Sequence, residues 1–265
     1  PLMSGLVAHE VGHTLGLRHN FKASSLYSLE EINSDEIRGK KPFTSSVMDY
    51  NPVNFNMETG EIQGDYAMIG IGPYDFWAIE YGYTFDNPED VLKKADDPTY
   101  AYLTDEDTSG PDPLAKRYDF SKDPFSYANN QMRIVSKLRE DLLESFVKDG
   151  DSWSKARRGY ETTLRMQLSA ASMMTDWIGG AHTNRNKKGD YENGEHPPVE
   201  VVPTDQQRNA LRFVVDTILD EAAYGLTTEL LTHFNVDKWY SGGGDSGDAT
   251  WPIHDRILGT QASTL

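Results

Sequence analysis

Hydrophobic positions fall into helical register in several separate stretches of this chain and alternate in only one. Leu2, Leu6, Val7, Val11 and Leu15 recur near the helical period and predict an amphipathic helix over 2–15 with a buried face, which Gly16 is placed to stop. Residues 17–65 are polar, include Pro42 and Pro52, and read mostly as loop, with a short helix near 29–38. Pro73 suits a first helical turn and opens a second helix through Phe76, Trp77, Ile79 and Glu80 to Gly82. From 87 to 127 Pro, Asp and Tyr dominate without period, which predicts a long connecting loop over the surface. Ile134, Val135, Leu138, Leu142 and Phe146 then mark a helix over 131–147, and Leu164, Leu168, Ala171 and Met174 another over 153–177. Gly179, Gly180, a polar run and alternating valines at 199–202 suggest a β-hairpin within 178–203. Two further helices follow, 205–219 with Thr204 or Asp205 as its cap and 222–234, before a flexible tail from Gly242–Gly244 onward. The expected fold is mainly α with few short strands: a first region over 1–86, the connecting loop 87–127, and a helical domain over 128–265.

Composition narrows the chemistry. At 265 residues the chain can bury a substantial core. Its formal net charge of −17 repels a phosphate backbone, so nucleic acid is not an expected partner. Without cysteine there is no disulfide, no thiolate metal site and no cysteine nucleophile, so a metal must be held by His, Asp or Glu. No run approaches the ~18 apolar residues of a membrane span. Because a helical pattern starts almost at Pro1, the chain reads as a piece of a longer protein, with any localisation signal expected upstream.

The first helix contains His9-Glu10-Val11-Gly12-His13. Four residues advance a helix by about 400°, leaving the two imidazoles about 40° apart around the axis and facing one point. A catalytic zinc takes three protein ligands and keeps a fourth position open. The third ligand follows in Gly16-Leu17-Arg18-His19, which completes His-Glu-x-x-His-x-x-Gly-x-x-His. A continuing helix would carry His19 about 120° away from the shared face. Glycine tolerates the positive φ that ends a helix, so Gly16 lets the chain swing His19 back.

This extended motif resembles the metzincins, zinc peptidases whose zinc helix is followed by a tight turn containing methionine. Ser46-Val47-Met48-Asp49-Tyr50 is similar to that Met-turn, and Gly72-Pro73-Tyr74-Asp75-Phe76-Trp77-Ala78-Ile79 is similar to the helix that closes the catalytic domain. The resemblance covers 1–83. It implies one Zn²⁺ held by His9, His13 and His19, Glu10 as general base, Met48 beneath the metal, and Tyr50 stabilising the tetrahedral intermediate. Asn20, directly after the third histidine, matches none of the astacin, reprolysin, matrixin or serralysin patterns, which places the chain in a separate bacterial branch. The resemblance also implies that 1–86 is the C-terminal part of a zincin-like catalytic domain. The strands of the upper cleft wall would then lie upstream as a missing partner, leaving this piece able to bind zinc but weakly active or inactive on peptides. A secreted, periplasmic or cell-surface setting is the family expectation.

Other polar clusters receive plainer readings. Asp105, Glu106, Asp107 and Asp112 could hold Ca²⁺ but lack the glycine-centred spacing of an EF-hand, so a solvated loop is expected. Glu30 or Glu31 could replace the third ligand, as in thermolysin-like enzymes, but Gly16 and His19 already complete the site. His182, His196, His233 and His254 lack paired spacing and read as structural or surface residues. The competing function is a non-catalytic zinc-containing binding or scaffold module, against which Glu10 argues because a structural site has no use for that carboxylate.

Overall fold

The structure is a computed structural model that describes residues 2–185, 187–188, 197–237 and 250–264. Its helices are α1 (Leu2–Thr14), α2 (Leu29–Ile32), α3 (Pro73–Tyr83), α4 (Pro88–Leu92), α5 (Pro124–Glu140), α6 (Ser154–Thr175), α7 (Thr204–Val214), α8 (Thr228–Thr232) and α9 (Ile253–Thr264). The fold is mainly α, and the described residues contain two short strands, β1 (Ala181–Thr183) and β2 (Val199–Val201). They pair antiparallel, with His182 opposite Glu200, so the expected hairpin is present at its base. Most of its intervening run, with His196, lies outside the described residues, as does Gly242–Gly244.

The chain divides into two compact units, one of Pro1–Tyr127 with Asp176–Gln207 and one of Ala128–Thr175 with Arg208–Leu265. This division differs from the expected one. The segment 87–127 belongs to the first unit and is structured: it carries α4 and 3₁₀ turns at Pro98–Tyr100 and Asp105–Ser109. The hairpin also belongs to that unit, where Ala181 N–H donates to the Pro111 carbonyl at 2.8 Å and Thr183 N–H to the Asp112 carboxylate at 3.1 Å.

Several predicted helices change in extent. The one expected over 29–38 is the single turn α2, whose Ser28 and Glu31 form a reciprocal capping box. In place of a helix over 131–147, α5 starts at Pro124 and ends at Glu140, followed by a π-helical turn over Leu142–Phe146. A second π-turn, Val215–Leu219, follows α7. The helix expected over 222–234 is broken at Gly225, which takes φ +56° between a 3₁₀ turn (Glu221–Tyr224) and α8. Where a flexible tail was expected, α9 forms: Ile253 and Ile257, one turn apart, pack against the core of the second unit, and Thr260 and Thr264 on the same side are buried.

The largest reversal is in α1. Leu2, Leu6, Val7, Val11 and Leu15, predicted to be its buried face, are 42–64% exposed, while His9 and Gly12 are buried. The helix carries apolar residues around most of its circumference, so periodicity could not identify the packed side. That side is chosen by the turn at Met48.

Candidate metal centre

α1 ends in a Schellman arrangement. Gly16 has φ +89°, its N–H donates to the His13 carbonyl at 3.1 Å, and Leu17 N–H reaches back to the Gly12 carbonyl at 3.0 Å. The reversal brings His19 back to the helix as the motif requires. The ligating atoms of His9, His13 and His19 lie within 4.8 Å of one another, and these three form the one such candidate cluster among the described residues.

Each ring is oriented through its Nδ1. His9 Nδ1 is 2.7 Å from the Val47 carbonyl and His13 Nδ1 is 2.9 Å from the Leu17 carbonyl. A carbonyl can only accept, so Nδ1 carries the proton in both rings and Nε2 is left as the nitrogen available to a metal. His19 Nδ1 is 2.9 Å from the Asp105 carboxylate, leaving its Nε2 beside the Tyr50 hydroxyl at 3.0 Å. The groups behind the rings are themselves held. Asp75 of α3 accepts from Val47 N–H at 2.9 Å, from Ser46 Oγ at 2.5 Å and from Gly72 N–H at 2.8 Å. Burial raises the Asp75 pKa, and these three donors oppose the rise. Arg117 donates to Asp105 at 3.0 Å; burial pushes that carboxyl up, but His19 and Arg117 outweigh it and hold its pKa below the ordinary value. Such carboxylate and carbonyl partners fix tautomer and ring orientation in histidine metal sites.

Met48 is fully buried beneath α1. A Cβ on Gly12 would collide with its sulfur, so glycine at the fourth position of His-Glu-Val-Gly-His lets helix and turn approach this closely. Asn20 ties the third histidine to the same turn. Its N–H donates to the Met48 carbonyl at 3.0 Å and its side-chain amide to the Ala101 carbonyl at 3.0 Å, while Phe21 N–H donates to the Leu103 carbonyl at 2.8 Å. This places 101–105, and with it Asp105, alongside His19. The residue that matched no metzincin pattern is therefore a buried brace.

Next to Met48, Asp49 accepts from Ser24 N–H at 2.9 Å and Tyr50 N–H at 2.7 Å, while Ser24 Oγ donates to Asp119 at 3.1 Å. Both carboxyls are buried. Burial, then the charge of Asp119, raises Asp49 well above the carboxylate range, and burial pushes Asp119 up to about 8.

A cavity of about 400 Å³ opens beside His9, and Glu10, Val47, Tyr50, Met68 and Tyr118 also line part of it. Glu10 is solvent-exposed, next to two of the rings along the helix.

The acidic stretch is partly solvated, with Glu106 exposed and Asp112 buried, and its carboxylates are engaged with cations. Besides Asp105, Glu106 pairs with Arg18 at 2.7 Å, Asp107 with Arg185 at 2.9 Å, and Asp112 with Lys22 at 3.2 Å. Burial works to raise Asp112, but His182, Lys22 and the Thr183 N–H bring it down to about 2. His182 is thus a structural partner at 3.1 Å from Asp112, His233 packs against Trp153 with ring centroids 4.3 Å apart and planes tilted by 57°, and His254 is exposed. Glu31 is committed to Lys122 and to the α2 cap, which lower its pKa to about 2.

Asp75, Asp105, Arg117 and Tyr118 were missed from the sequence. The acidic run at 105–107 was visible, but nothing local distinguished Asp105 within it.

The sequence profile of the family described as Met-zincin matches residues 1–265, the whole chain. The chain belongs to the Met-zincin family. Neither curated proteins nor solved structures give a significant match. Family membership makes zinc metallopeptidase the coarse assignment, and the histidine triad is a set of residues able to hold the metal. The donor chemistry fits: three neutral imidazole nitrogens are a standard zinc ligand set. No helix among the described residues is long and apolar enough to cross a membrane.

Proposed function

We propose that the protein is a zinc-dependent endopeptidase that holds one Zn²⁺ through Nε2 of His9, His13 and His19. The observation that carries this reading is the convergence of three rings on one another, each anchored through Nδ1, next to a cavity lined by His9 and Glu10. A bound zinc ion supplies Lewis acidity, acidifying water and polarising a carbonyl. Glu10 lies one residue from His9 and is not a ligand, so its carboxylate is free to take a proton from the attacking water and pass it to the leaving amine. The Tyr50 hydroxyl, now 3.0 Å from His19 Nε2, is in reach to donate a hydrogen bond to the developing oxyanion. A purely structural zinc site would have no use for an exposed carboxylate facing a cavity, which favours hydrolysis over a binding module.

The test separates metal from chemistry. Elemental analysis after zinc reconstitution is expected to give about one zinc per chain. Glu10→Gln is expected to keep the zinc and, in a preparation whose wild-type counterpart cleaves a quenched peptide mixture measurably, to slow that cleavage by at least ~10²-fold, the lower range for general acid–base catalysis. Zinc-free protein after reconstitution would overturn the metal site, and unchanged turnover in Glu10→Gln would remove Glu10 as the base.

A further inference from the structure

The segment 116–122 runs past the metal centre and delivers successive side chains to different places. Arg117 reaches Asp105 behind His19, Asp119 reaches Ser24 beside the Met48 turn, and Phe120 packs on Phe43 in the core at 4.9 Å between ring centroids. Tyr118 alone lines the cavity that Glu10 shares.

Its backbone is unusual. Tyr118 has φ +63°, the left-handed region that a bulky side chain rarely adopts and that glycine or asparagine enters readily. Burial offers no compensation, because Tyr118 is 61% exposed. The conformation is imposed by anchors on both sides. Lys116 N–H donates to the Phe21 carbonyl at 3.2 Å, Tyr118 N–H to the Tyr50 carbonyl at 3.1 Å, and Lys122 N–H to the Tyr27 carbonyl at 2.8 Å. A turn that needed only its backbone would be better served by glycine, so the ring itself calls for an explanation. It sits 5.8 Å from the Tyr50 ring, tilted by 33°, across a cavity whose apolar lining includes Val47, Pro52 and Met68.

We propose that Tyr118 is a specificity-determining residue, its ring walling the cavity beside Glu10 so that the site takes a large apolar, preferably aromatic, side chain next to the scissile bond. Two tyrosine rings favour an aromatic guest through edge and face contacts beyond simple burial. A cavity of about 400 Å³ falls within the range of small-ligand sites, enough for one large side chain. This inference rests on the zinc-peptidase reading.

The experiment uses three probes on the zinc-loaded chain, with affinities measured by calorimetry. Acetohydroxamate reports the metal alone. Two peptidyl hydroxamates, identical except for benzyl or hydrogen as the side chain beside the chelating group, report the cavity. The benzyl probe is expected to bind about 10–100-fold more tightly than its unsubstituted counterpart, the range for burying one large apolar group. Tyr118→Asn suits the left-handed backbone and removes the ring, and it is expected to cut that ratio by about 2–10-fold with acetohydroxamate affinity unchanged. Tyr118→Phe is expected to keep the ratio. If acetohydroxamate fails to bind the wild-type chain, the zinc reading falls and this inference falls with it. If acetohydroxamate binds and the ratio is the same in Tyr118→Asn as in wild type, the zinc reading stands and the role of Tyr118 is overturned.

Discussion

Tyr160, Tyr224, Phe234 and Trp251 fill the interior of the second unit, whereas the buried set around the Met48 turn in the first includes Asn20, Ser24, Ser46, Asp49, Asp75 and Asp119. Regular helices satisfy their own backbone groups, so the second unit can spend its interior on aromatic contact: Tyr160 meets Phe234 at 5.2 Å and Trp251 at 5.3 Å. It also buries polar side chains such as Ser154, Thr163, Gln167 and Thr217, and none of the buried polar side-chain atoms among its described residues is left without a hydrogen-bond partner. The Arg139 guanidinium donates to Thr163, Gln167 and the Ala223 carbonyl, and burial lowers its pKa. Around the candidate metal centre the backbone is irregular, and side-chain carboxyls and amides must supply the partners that a helix would provide internally. The difference teaches that the centre is held by polar geometry, and that each brace there also sets the position of a candidate functional group.

The largest expected effect tests the aromatic side of this comparison. Tyr160→Ala should destabilise the second unit by about 3–5 kcal/mol through the cavity it leaves, and Tyr160→Phe by only about 1 kcal/mol through one lost hydrogen bond to the Tyr224 carbonyl. Hydrogen exchange over 154–175 would localise the loss, and similar costs for the two variants would show that polar satisfaction governs this core as well.

The buried acid pair should make the first unit pH-sensitive. In the folded chain Asp119 keeps its proton up to about pH 8, and Asp49 also titrates above its ordinary range, whereas both lose protons near 3.8 when unfolded. The unfolded state therefore binds fewer protons between about pH 4 and 8, and stability falls as pH rises through that window, by on the order of 1 kcal/mol per pH unit. Asp119→Asn should flatten the profile. Thermal unfolding of metal-stripped protein across this range is the measurement, and an unaltered slope in the variant would mean that the pair is not the source.

Smaller still is the effect expected at the anchor of His19, the third candidate ligand. Asp105→Asn keeps the side-chain shape but weakens the partner of His19, and should reduce zinc affinity about 10–100-fold. Competition with a chromophoric chelator would measure it, and wild-type affinity would reduce Asp105 to a surface contact.

An effect of similar size compares two glycines of one helix. Gly12→Ala drives a methyl into the Met48 sulfur and should cost about 1–3 kcal/mol, while Gly5→Ala meets nothing within 4 Å and should stabilise α1 by up to about 1 kcal/mol. Equal melting temperatures for the two variants would show that the Met48 turn yields easily.

The sequence reading succeeded where the interactions are local. Pro73 marked the start of α3, and the regular apolar spacing of α6 predicted its length to within two residues at each end. It failed for α9, whose few apolar residues and many polar ones concealed the Ile253–Ile257 stripe, and for 87–127, where single turns stabilised by distant partners leave no period to detect. The burial of α1 was misassigned because hydrophobicity alone does not say which side of an apolar helix finds a neighbour.

By itself the sequence determined that His9, His13 and His19 could meet. They lie within eleven residues, helix geometry converges the first two, and the positive φ of Gly16 returns the third, so no distant contact is needed to bring them together. Only the tertiary structure decided what stands behind and beside them. Asp105 lies 86 positions from His19, Val47 lies 38 from His9, and Tyr118 meets Tyr50 across a comparable separation. Such pairings depend on how the irregular chain satisfies its backbone donors and acceptors across the whole unit, a condition that no short window of sequence contains.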